Sequence, residues 1–419
     1  MLDRTKAPAM QQVENIHFLN PELFTLDNGV IVYALKGGEQ EIIKTDFVLD
    51  AGSLLGNNRL VASTASDLLF TGANGKSSEE IANEFDFYGA FNSKSCHFTD
   101  NLITNFCLTK HSDSVYGLLS DYINNASFTS NELEVYKFVK IQNLTVSKQK
   151  TSYIARKAFT QALFEGHPYG YFTEVEDYKN LTINEIENFY NANKKLKYII
   201  LSGAYTAETI AQLNKYFGKY EVRGSWVYND SFSSSPEKII HIPKADAMQC
   251  TVRLGFKTIN RLHPDYPKLG ILVTLLGGFF GSRLMKNIRE DKGYTYGIHA
   301  SVISYPDCGV FGIQTDVRKE VYNDTVSEIF KEINRLKNEP ISDEEIDILS
   351  NYSLGSFLRS IDGAFAVSEK YKTLLDFGQD YNYYHNYIRL LKNIDRDELM
   401  QIARTYFVDE DIYQVVAGV

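Results

Sequence analysis

The segment of the sequence with the clearest chemical potential is residues 275–300, where an arginine and a tyrosine lie seven residues apart. Arg289 lies toward the polar side of a predicted helix, and Tyr296 lies on the strand predicted to follow it. Alternation along that strand predicts Tyr294, Tyr296 and Ile298 on one face. A guanidinium and a phenol at such a corner can both donate hydrogen bonds to one carbonyl oxygen.

The glycines ahead of this helix leave other interpretations open. Gly277, Gly278 and Gly281 permit a tight loop, and Ser282 is placed to cap the helix behind them. A phosphate-binding loop is disfavoured, because neither the G-x-x-x-x-G-K-[ST] spacing nor a strand–GxGxxG–helix unit is present. An isolated arginine and tyrosine are also compatible with a surface salt bridge and a half-buried ring.

The helix that carries Arg289 is predicted over residues 282–291. Leu284 and Ile288 lie one turn apart and predict its buried stripe. Gly293 is placed to end the helix in a left-handed turn, from which the strand begins.

The hydrophobic patterns along the whole chain predict two halves with a similar order of elements. Each half is predicted to be of the α+β class, with helices over a mostly antiparallel sheet. The first half is predicted over residues 1–221. Residues 222–238 are rich in Ser, Asn and Gly and predict a linker. The second half is predicted over residues 239–419.

Composition narrows the classes of partner and compartment. A formal charge of −10 argues against nucleic acid and anionic membranes as main partners, because both select basic surfaces. No apolar run is long enough to span a bilayer, and residues 1–12 lack the apolar core of a secretory signal. Four widely spaced cysteines are predicted to be reduced thiols, so we expect a cytoplasmic protein.

The second-half motif resembles the C-terminal domain of M16 (pitrilysin-type) zinc peptidases: a glycine pair, then S-R-L, I-R-E, a Gly, and a Tyr three residues beyond it. In that family an arginine and a tyrosine at this spacing bind the substrate backbone and help polarise the scissile carbonyl. By resemblance those roles fall on Arg289 and Tyr296. The first half keeps the family's order of motifs, with FTLDNG at 24–29, DAGS at 50–53, LFTG at 69–72 and LF…HPYG at 163–170. The resemblance implies two homologous M16-type (LuxS/MPP-like) domains.

The zinc motif of active M16 members is degenerate in this chain. That motif is H-x-x-E-H on the helix before L-F-x-G, with two histidines as ligands and the glutamate activating a metal-bound water. Alignment on LFTG puts Ser63 and Asp67 at the two histidine positions and Ser66 at the glutamate position. The resemblance therefore implies no metal and no complete catalytic set in this chain alone.

The later zinc ligand of the family is also missing. It falls near Gln142, in the stretch 135–164, which contains no Asp or Glu. No two of the eight histidines lie within five residues of each other, so no relocated motif is visible. His97 and His167 are interpreted as structural.

The same stretch is basic. It is interpreted either as a solvated helix face or as the lining of a chamber that holds acidic peptides. Its cationic residues are Lys137, Lys140, Lys148, Lys150, Arg156 and Lys157.

The resemblance implies the non-catalytic subunit of a two-chain M16 peptidase that hydrolyses unstructured peptides. The expected partner is an M16 homologue that carries H-x-x-E-H and holds the zinc, and a homodimer is compatible with the isolated chain. The alternative is a structural or peptide-binding scaffold without a peptidase role. A self-sufficient hydrolase of another kind is disfavoured, because neither a G-x-S-x-G elbow nor a placed Cys–His pair is present.

Overall fold

The chain folds into two helix-covered β-sheets, which confirms the α+β class. The computed structural model describes residues 16–56, 59–222 and 232–419. Most neighbouring strands are antiparallel, and one pair in each sheet is parallel. No helix in these described ranges is both long and apolar enough to cross a bilayer.

The first sheet has six strands in the order β1-β2-β8-β3-β7-β6. Its central strand β3 is buried along nearly its whole length, as expected for a strand covered on both faces. A short two-stranded ribbon, β4–β5, lies beside it. The strands of this half are β1 Glu22–Thr25, β2 Ile31–Lys36, β3 Ile42–Leu49, β4 Gly72–Ala73, β5 Lys76–Ser77, β6 Phe91–Cys96, β7 Asn101–Leu108 and β8 Leu196–Gly203.

Eight helices belong to the first half, and several begin at capping boxes. Ser77 with Glu80 starts the second helix, and Thr182 with Glu185 starts the seventh, each satisfying the free backbone N–H groups of the first turn. The helices are α1 Arg59–Leu68, α2 Ser78–Phe87, α3 Ser112–Asn124, α4 Ser130–Lys148, α5 Thr151–Leu163, α6 Val175–Asn180, α7 Ile183–Asn193 and α8 Ala207–Phe217.

The second sheet has five strands in the order β11-β12-β10-β13-β9, so β11 is an edge strand. The described residues of this half form six α-helices, with π-helical turns at Thr274–Gly278 and Met285–Asp291. The elements are β9 Ile239–Ile242, β10 Cys250–Thr258, α9 Tyr266–Val273, β11 Thr295–Ser304, β12 Gly309–Val317, α10 Tyr322–Asn338, α11 Asp343–Arg359, α12 Gly363–Asp376, α13 Asn382–Lys392, α14 Arg396–Tyr406 and β13 Tyr413–Ala417.

Each half covers one face of the other half's sheet with a helix of its own. In α5, Ala155 and Phe159 pack in one cluster with Tyr413 and Val415 of β13. In α12, Val367 packs in a corresponding cluster with residues of β2, β3 and β8. The opposite faces are covered by each half's own helices.

Two ion pairs, each with one buried member, reinforce this exchange. Lys44 of β3 lies 3.3 Å from the carboxylate of Glu369 in α12. Lys372, one turn further along α12, lies 3.3 Å from Asp100 beside β7. The two halves are therefore joined by apolar packing and by charge.

The predicted linker, residues 222–238, falls largely on residues 223–231, which lie outside the described part of the chain. The segment that follows packs on both halves. Ser235 donates its backbone N–H to Ala162 of α5 and accepts a hydrogen bond from the Tyr413 hydroxyl.

Candidate functional site

The turn ahead of the helix that carries Arg289, Thr274–Gly278, approaches the second sheet closely. A Cβ atom on Gly277 would lie 2.7 Å from the Cβ of Ala300 in β11, so only glycine fits there without displacement. Leu284 and Ile288 are fully buried, which confirms the predicted stripe. Gly293 has φ +63°, which confirms the predicted left-handed ending of the helix.

The helix departs from the prediction in its winding and its cap. Met285–Asp291 is π-helical, a geometry that is rare and frequent at functional sites. The Ser282 hydroxyl makes no capping hydrogen bond; it is buried and has no hydrogen-bond partner within the described ranges. The predicted cap is therefore wrong.

A β-bulge in β11 sets the direction of Tyr296. Thr295 pairs with Val317 and Ile298 with Thr315, so β11 carries one extra residue between these pairs. Tyr296 is consequently 95% exposed whereas Ile298 is buried. The predicted placement of Tyr296 and Ile298 on one face is wrong, because the bulge interrupts the alternation.

Arg289 and Tyr296 both have unused hydrogen-bonding capacity. The Arg289 guanidinium carbon lies 4.5 Å from the ring centroid of Phe280, which is itself 59% exposed. Neither the guanidinium nor the Tyr296 hydroxyl forms a hydrogen bond or ion pair with any residue in the described part of the chain. Both donors are thus free for a carbonyl oxygen supplied from outside.

A groove of about 610 Å³ runs beside this corner along β11. Two of the residues that line it adjoin the corner: Phe280, which packs against Arg289, and Gly297, which follows Tyr296 in the sequence. Arg253 and Asp316 also line it. Burial together with the nearby charge of Arg156 lowers the pKa of Arg253 to about 10, against the opposing effect of Asp316. The groove therefore combines apolar side chains with a partly desolvated cation and a carboxylate.

The degenerate zinc positions lie on α1, and their hydroxyl groups are engaged within the protein. Ser63 donates to the carbonyl of Leu60. The buried Ser66 donates to Asn101 Oδ1 at 3.0 Å. Both hydroxyls are therefore used in hydrogen bonds within the protein and do not form a set of metal ligands.

Asp67 is held by residues of α4. Its Oδ2 accepts a hydrogen bond from the Tyr136 hydroxyl at 3.0 Å and lies 2.8 Å from Lys140 Nζ. The later-helix residues that face α1 are thus Tyr136 and Lys140, whereas Gln142 is exposed to solvent.

A second lysine reaches α1 from β6. Lys94 Nζ donates to the backbone carbonyls of Asp67 and Leu69. Burial lowers the pKa of Lys94 to about 8, against the opposing effect of the Asp67 carboxylate.

These donors do not fit a catalytic zinc ion. Such a site needs three good protein ligands, whereas Asp67 is accompanied by ammonium and hydroxyl donors. No group of three His, Cys, Asp or Glu side chains able to hold a metal occurs among residues 16–56, 59–222 and 232–419. His167 accepts a hydrogen bond from the Tyr169 backbone, consistent with a structural role.

Most of the basic stretch is neutralised within the protein. Lys148 and Lys157 both pair with Glu174, and Lys140 pairs with Asp67. Arg156 instead packs on the ring of Tyr153. These contacts favour a solvated, paired helix face over a basic chamber lining.

Comparisons with known proteins agree with the fold. The sequence profile of the peptidase M16 inactive domain matches residues 180–351. The uncharacterised zinc protease YmxG of Bacillus subtilis is 24% identical over 356 residues, which cover 82% of this chain and 84% of YmxG.

Solved structures share the fold over nearly the whole chain. A peptidase M16 inactive domain from Pseudomonas fluorescens superposes with a TM-score of 0.85 at 20% identity, covering 96% of this chain and 98% of that one. A protease from Helicobacter pylori superposes with a TM-score of 0.86 at 17% identity, covering 96% and 100%. The inactive-domain match spans the Arg289–Tyr296 corner, and the chain resembles M16 peptidase family members in sequence and in fold.

Proposed function

We propose that this protein is the non-catalytic, cytoplasmic subunit of a heteromeric M16-type zinc metallopeptidase that cleaves unstructured peptides. Its partner is an M16 homologue with an H-x-x-E-H motif, which holds the zinc and activates the water. This chain contributes Arg289 and Tyr296, which bind the peptide backbone and donate hydrogen bonds to the scissile carbonyl oxygen.

The observation that carries the proposal is the contrast between the two sites. At α1 the remaining carboxylate, Asp67, is already bound by Tyr136 and Lys140. At the second-half corner Tyr296 is almost fully exposed and Arg289 makes no ion pair in the described ranges. A tyrosine held outward on a bulge suits a site that is completed by another molecule.

The mechanism follows from hydrogen-bond donation. As water attacks the peptide carbonyl, negative charge develops on its oxygen, and fixed donors stabilise that charge more strongly than the neutral carbonyl. The Arg289 guanidinium packs on Phe280, which orients it. The edge of β11 offers backbone groups for an extended peptide, so the substrate can bind as an added strand.

The test is to mix the purified chain with an H-x-x-E-H homologue encoded by a neighbouring gene. The purified pair should cleave an unstructured peptide, and neither chain alone should do so. Tyr296→Phe removes only the hydroxyl, so we expect kcat to fall about 100-fold, the usual effect of losing one oxyanion donor. Arg289→Ala should lower kcat/KM at least as much.

The matched control is Arg404→Ala, which removes an exposed arginine from α14, where it donates a hydrogen bond to the Lys337 carbonyl. Its activity should equal that of the unaltered pair. If Arg289→Ala and Tyr296→Phe also leave cleavage unchanged, the corner has no chemical role, and the chain is a scaffold.

A further inference from the structure

A second cavity in the C-terminal half has cationic charge and no compensating acid. Its volume is about 440 Å³, and helices α9, α11, α12 and α13 enclose it against β11. Among the described residues that line it, Arg261 and Lys370 carry full charges, and none is an Asp or Glu.

Arg261 is held by aromatic rings and has no anionic partner. Its guanidinium carbon lies 4.4 Å from the ring centroid of Tyr383, and one terminal nitrogen donates to the Tyr384 hydroxyl at 3.4 Å. The Nε–H is buried and has no hydrogen-bond partner within the described ranges. Packing on rings fixes the guanidinium but leaves its charge uncompensated.

Lys370 is the second cation. Its ammonium makes no hydrogen bond or ion pair with the described residues, and the adjacent Glu369 pairs with Lys44. Burial lowers the pKa of Lys370 and the positive charge of Arg261 lowers it further, against the opposing effect of the Glu369 carboxylate. Two desolvated cations facing each other are unfavourable unless an anion lies between them.

A buried hydroxyl adds a third donor. Ser353, which lines the cavity from α11, is only 6% exposed, and its hydroxyl has no hydrogen-bond partner in the described part of the chain. Arg261, Lys370 and the Ser353 hydroxyl are all hydrogen-bond donors, and no acidic side chain that the structure describes lines the cavity. Such a set of donors is suited to binding the two oxygen atoms of a carboxylate.

The cavity adjoins the groove beside Tyr296. His299 and Ser301 of β11 line both spaces. From Tyr296 to Ser301 the strand rises roughly 16 Å, about five residues of an extended peptide. A peptide bound along β11 therefore reaches both the corner and the cavity.

We propose that this cavity, the carboxylate pocket, binds a carboxylate group of the peptide held along β11, through Arg261, Lys370 and Ser353. The identity of the ligand as a peptide rests on the proposed function, whereas binding of a carboxylate does not. The carboxylate is supplied either by the C-terminus of the peptide or by an acidic side chain.

The first experiment uses acetate as the probe on the full chain alone. Acetate should raise the thermal unfolding midpoint relative to chloride at equal ionic strength, because a ligand bound only to the folded state stabilises it. Lys370→Gln should abolish the shift. Lys110→Gln, which removes an exposed lysine from the first half, should retain it.

The second experiment measures binding of a labelled, unstructured peptide by fluorescence anisotropy. Peptides with a free C-terminus and an amidated C-terminus are compared, and an amidated peptide with one Glu is added. We expect the carboxylate-bearing form to bind at least about tenfold more tightly, and Lys370→Gln to remove that preference. If the peptide with a free C-terminus binds more tightly, the C-terminus supplies the carboxylate; if the amidated peptide with one Glu does so, the side chain supplies it.

The carboxylate pocket is contradicted if Lys370→Gln and Lys110→Gln change the acetate shift equally. It is also contradicted if acetate produces no shift and no carboxylate-bearing peptide binds more tightly than the amidated one. The two proposals fail separately. Tyr296→Phe should lower cleavage by the reconstituted pair about 100-fold and leave the carboxylate preference intact, so loss of one behaviour does not imply loss of the other.

Discussion

Asp67 shows how a metal position is occupied by the protein itself. The ammonium of Lys140 lies 2.8 Å from its carboxylate and supplies the positive charge that a metal ion would bring. An ammonium has no lone pair to offer, so it competes with a metal and cannot ligate one. The α1–α4 contact is therefore stabilised without any ion.

Reversing the degenerate motif tests this interpretation. We expect the triple change Ser63→His, Ser66→Glu and Asp67→His to bind zinc weakly, because Lys140 faces the site and no later carboxylate is present. Adding Lys140→Glu should produce stoichiometric zinc binding, measured by elemental analysis after gel filtration. Full occupancy of the triple variant would show that Lys140 does not matter.

Lys94 gives a prediction about pH. Its pKa is about 8 in the folded protein, below the ordinary lysine value, so the folded state disfavours its charged form. The resulting penalty is complete below pH 8 and disappears as pH rises toward the unfolded-state pKa. The free energy of unfolding should therefore rise between about pH 8 and 10.5 relative to Lys94→Met.

The measurement is chemical denaturation across that pH range, with NMR of ¹³C-methylated lysines as an independent readout. The resonance absent from Lys94→Met should titrate near pH 8. If that resonance titrates with the other lysines, the carbonyls of Asp67 and Leu69 hold the ammonium without a penalty.

At the scale of elements, hydrophobic periods predict several of the observed helices and strands. The apolar run at residues 413–417 predicts the strand found at Tyr413–Ala417, and a break in the helical pattern near residues 124–130 predicts the boundary between α3 and α4. The bulge at Tyr296 and the π-helix at Met285–Asp291 were not predictable, because each shifts the side-chain period by one residue within a short element. Those shifts determine the geometry of the candidate site.

Gly277 tests how closely the turn Thr274–Gly278 and β11 must approach. Gly277→Ala would place its Cβ 2.7 Å from the Ala300 Cβ, and we expect a loss of about 1–3 kcal/mol in the free energy of unfolding. Gly270→Ala is the matched control, since a Cβ there meets nothing within 4 Å on α9. The control should be neutral or stabilising by up to about 1 kcal/mol, measured by urea denaturation.

At the scale of the whole molecule, the two-half plan was visible in the sequence but the exchange of helices was not. The hydrophobic pattern of α5 shows that one face is buried without showing which sheet covers it. Its contact with β13 joins residues separated by most of the chain. Only the assembled fold reveals that α5 and α12 each belong to the sheet of the opposite half.

The buried pair between Lys372 and Asp100 should couple the two halves. Asp100 is 2% exposed, and Lys372→Met would leave its carboxylate without this partner. We expect a loss of about 3–5 kcal/mol and a single unfolding transition in calorimetry. Lys331→Met, at an exposed lysine of α10, should change stability little; two separate transitions in the unaltered chain would contradict the coupling.

The reciprocal placement of α5 and α12 makes the chain equivalent to a domain-swapped dimer fused into one polypeptide. Each half leaves one face of its own sheet bare unless the other half is present. A gene fragment that encodes one half should therefore yield a protein that self-associates or aggregates. Mixing separately expressed halves should restore the native assembly by complementation, because every missing surface is carried by the other fragment.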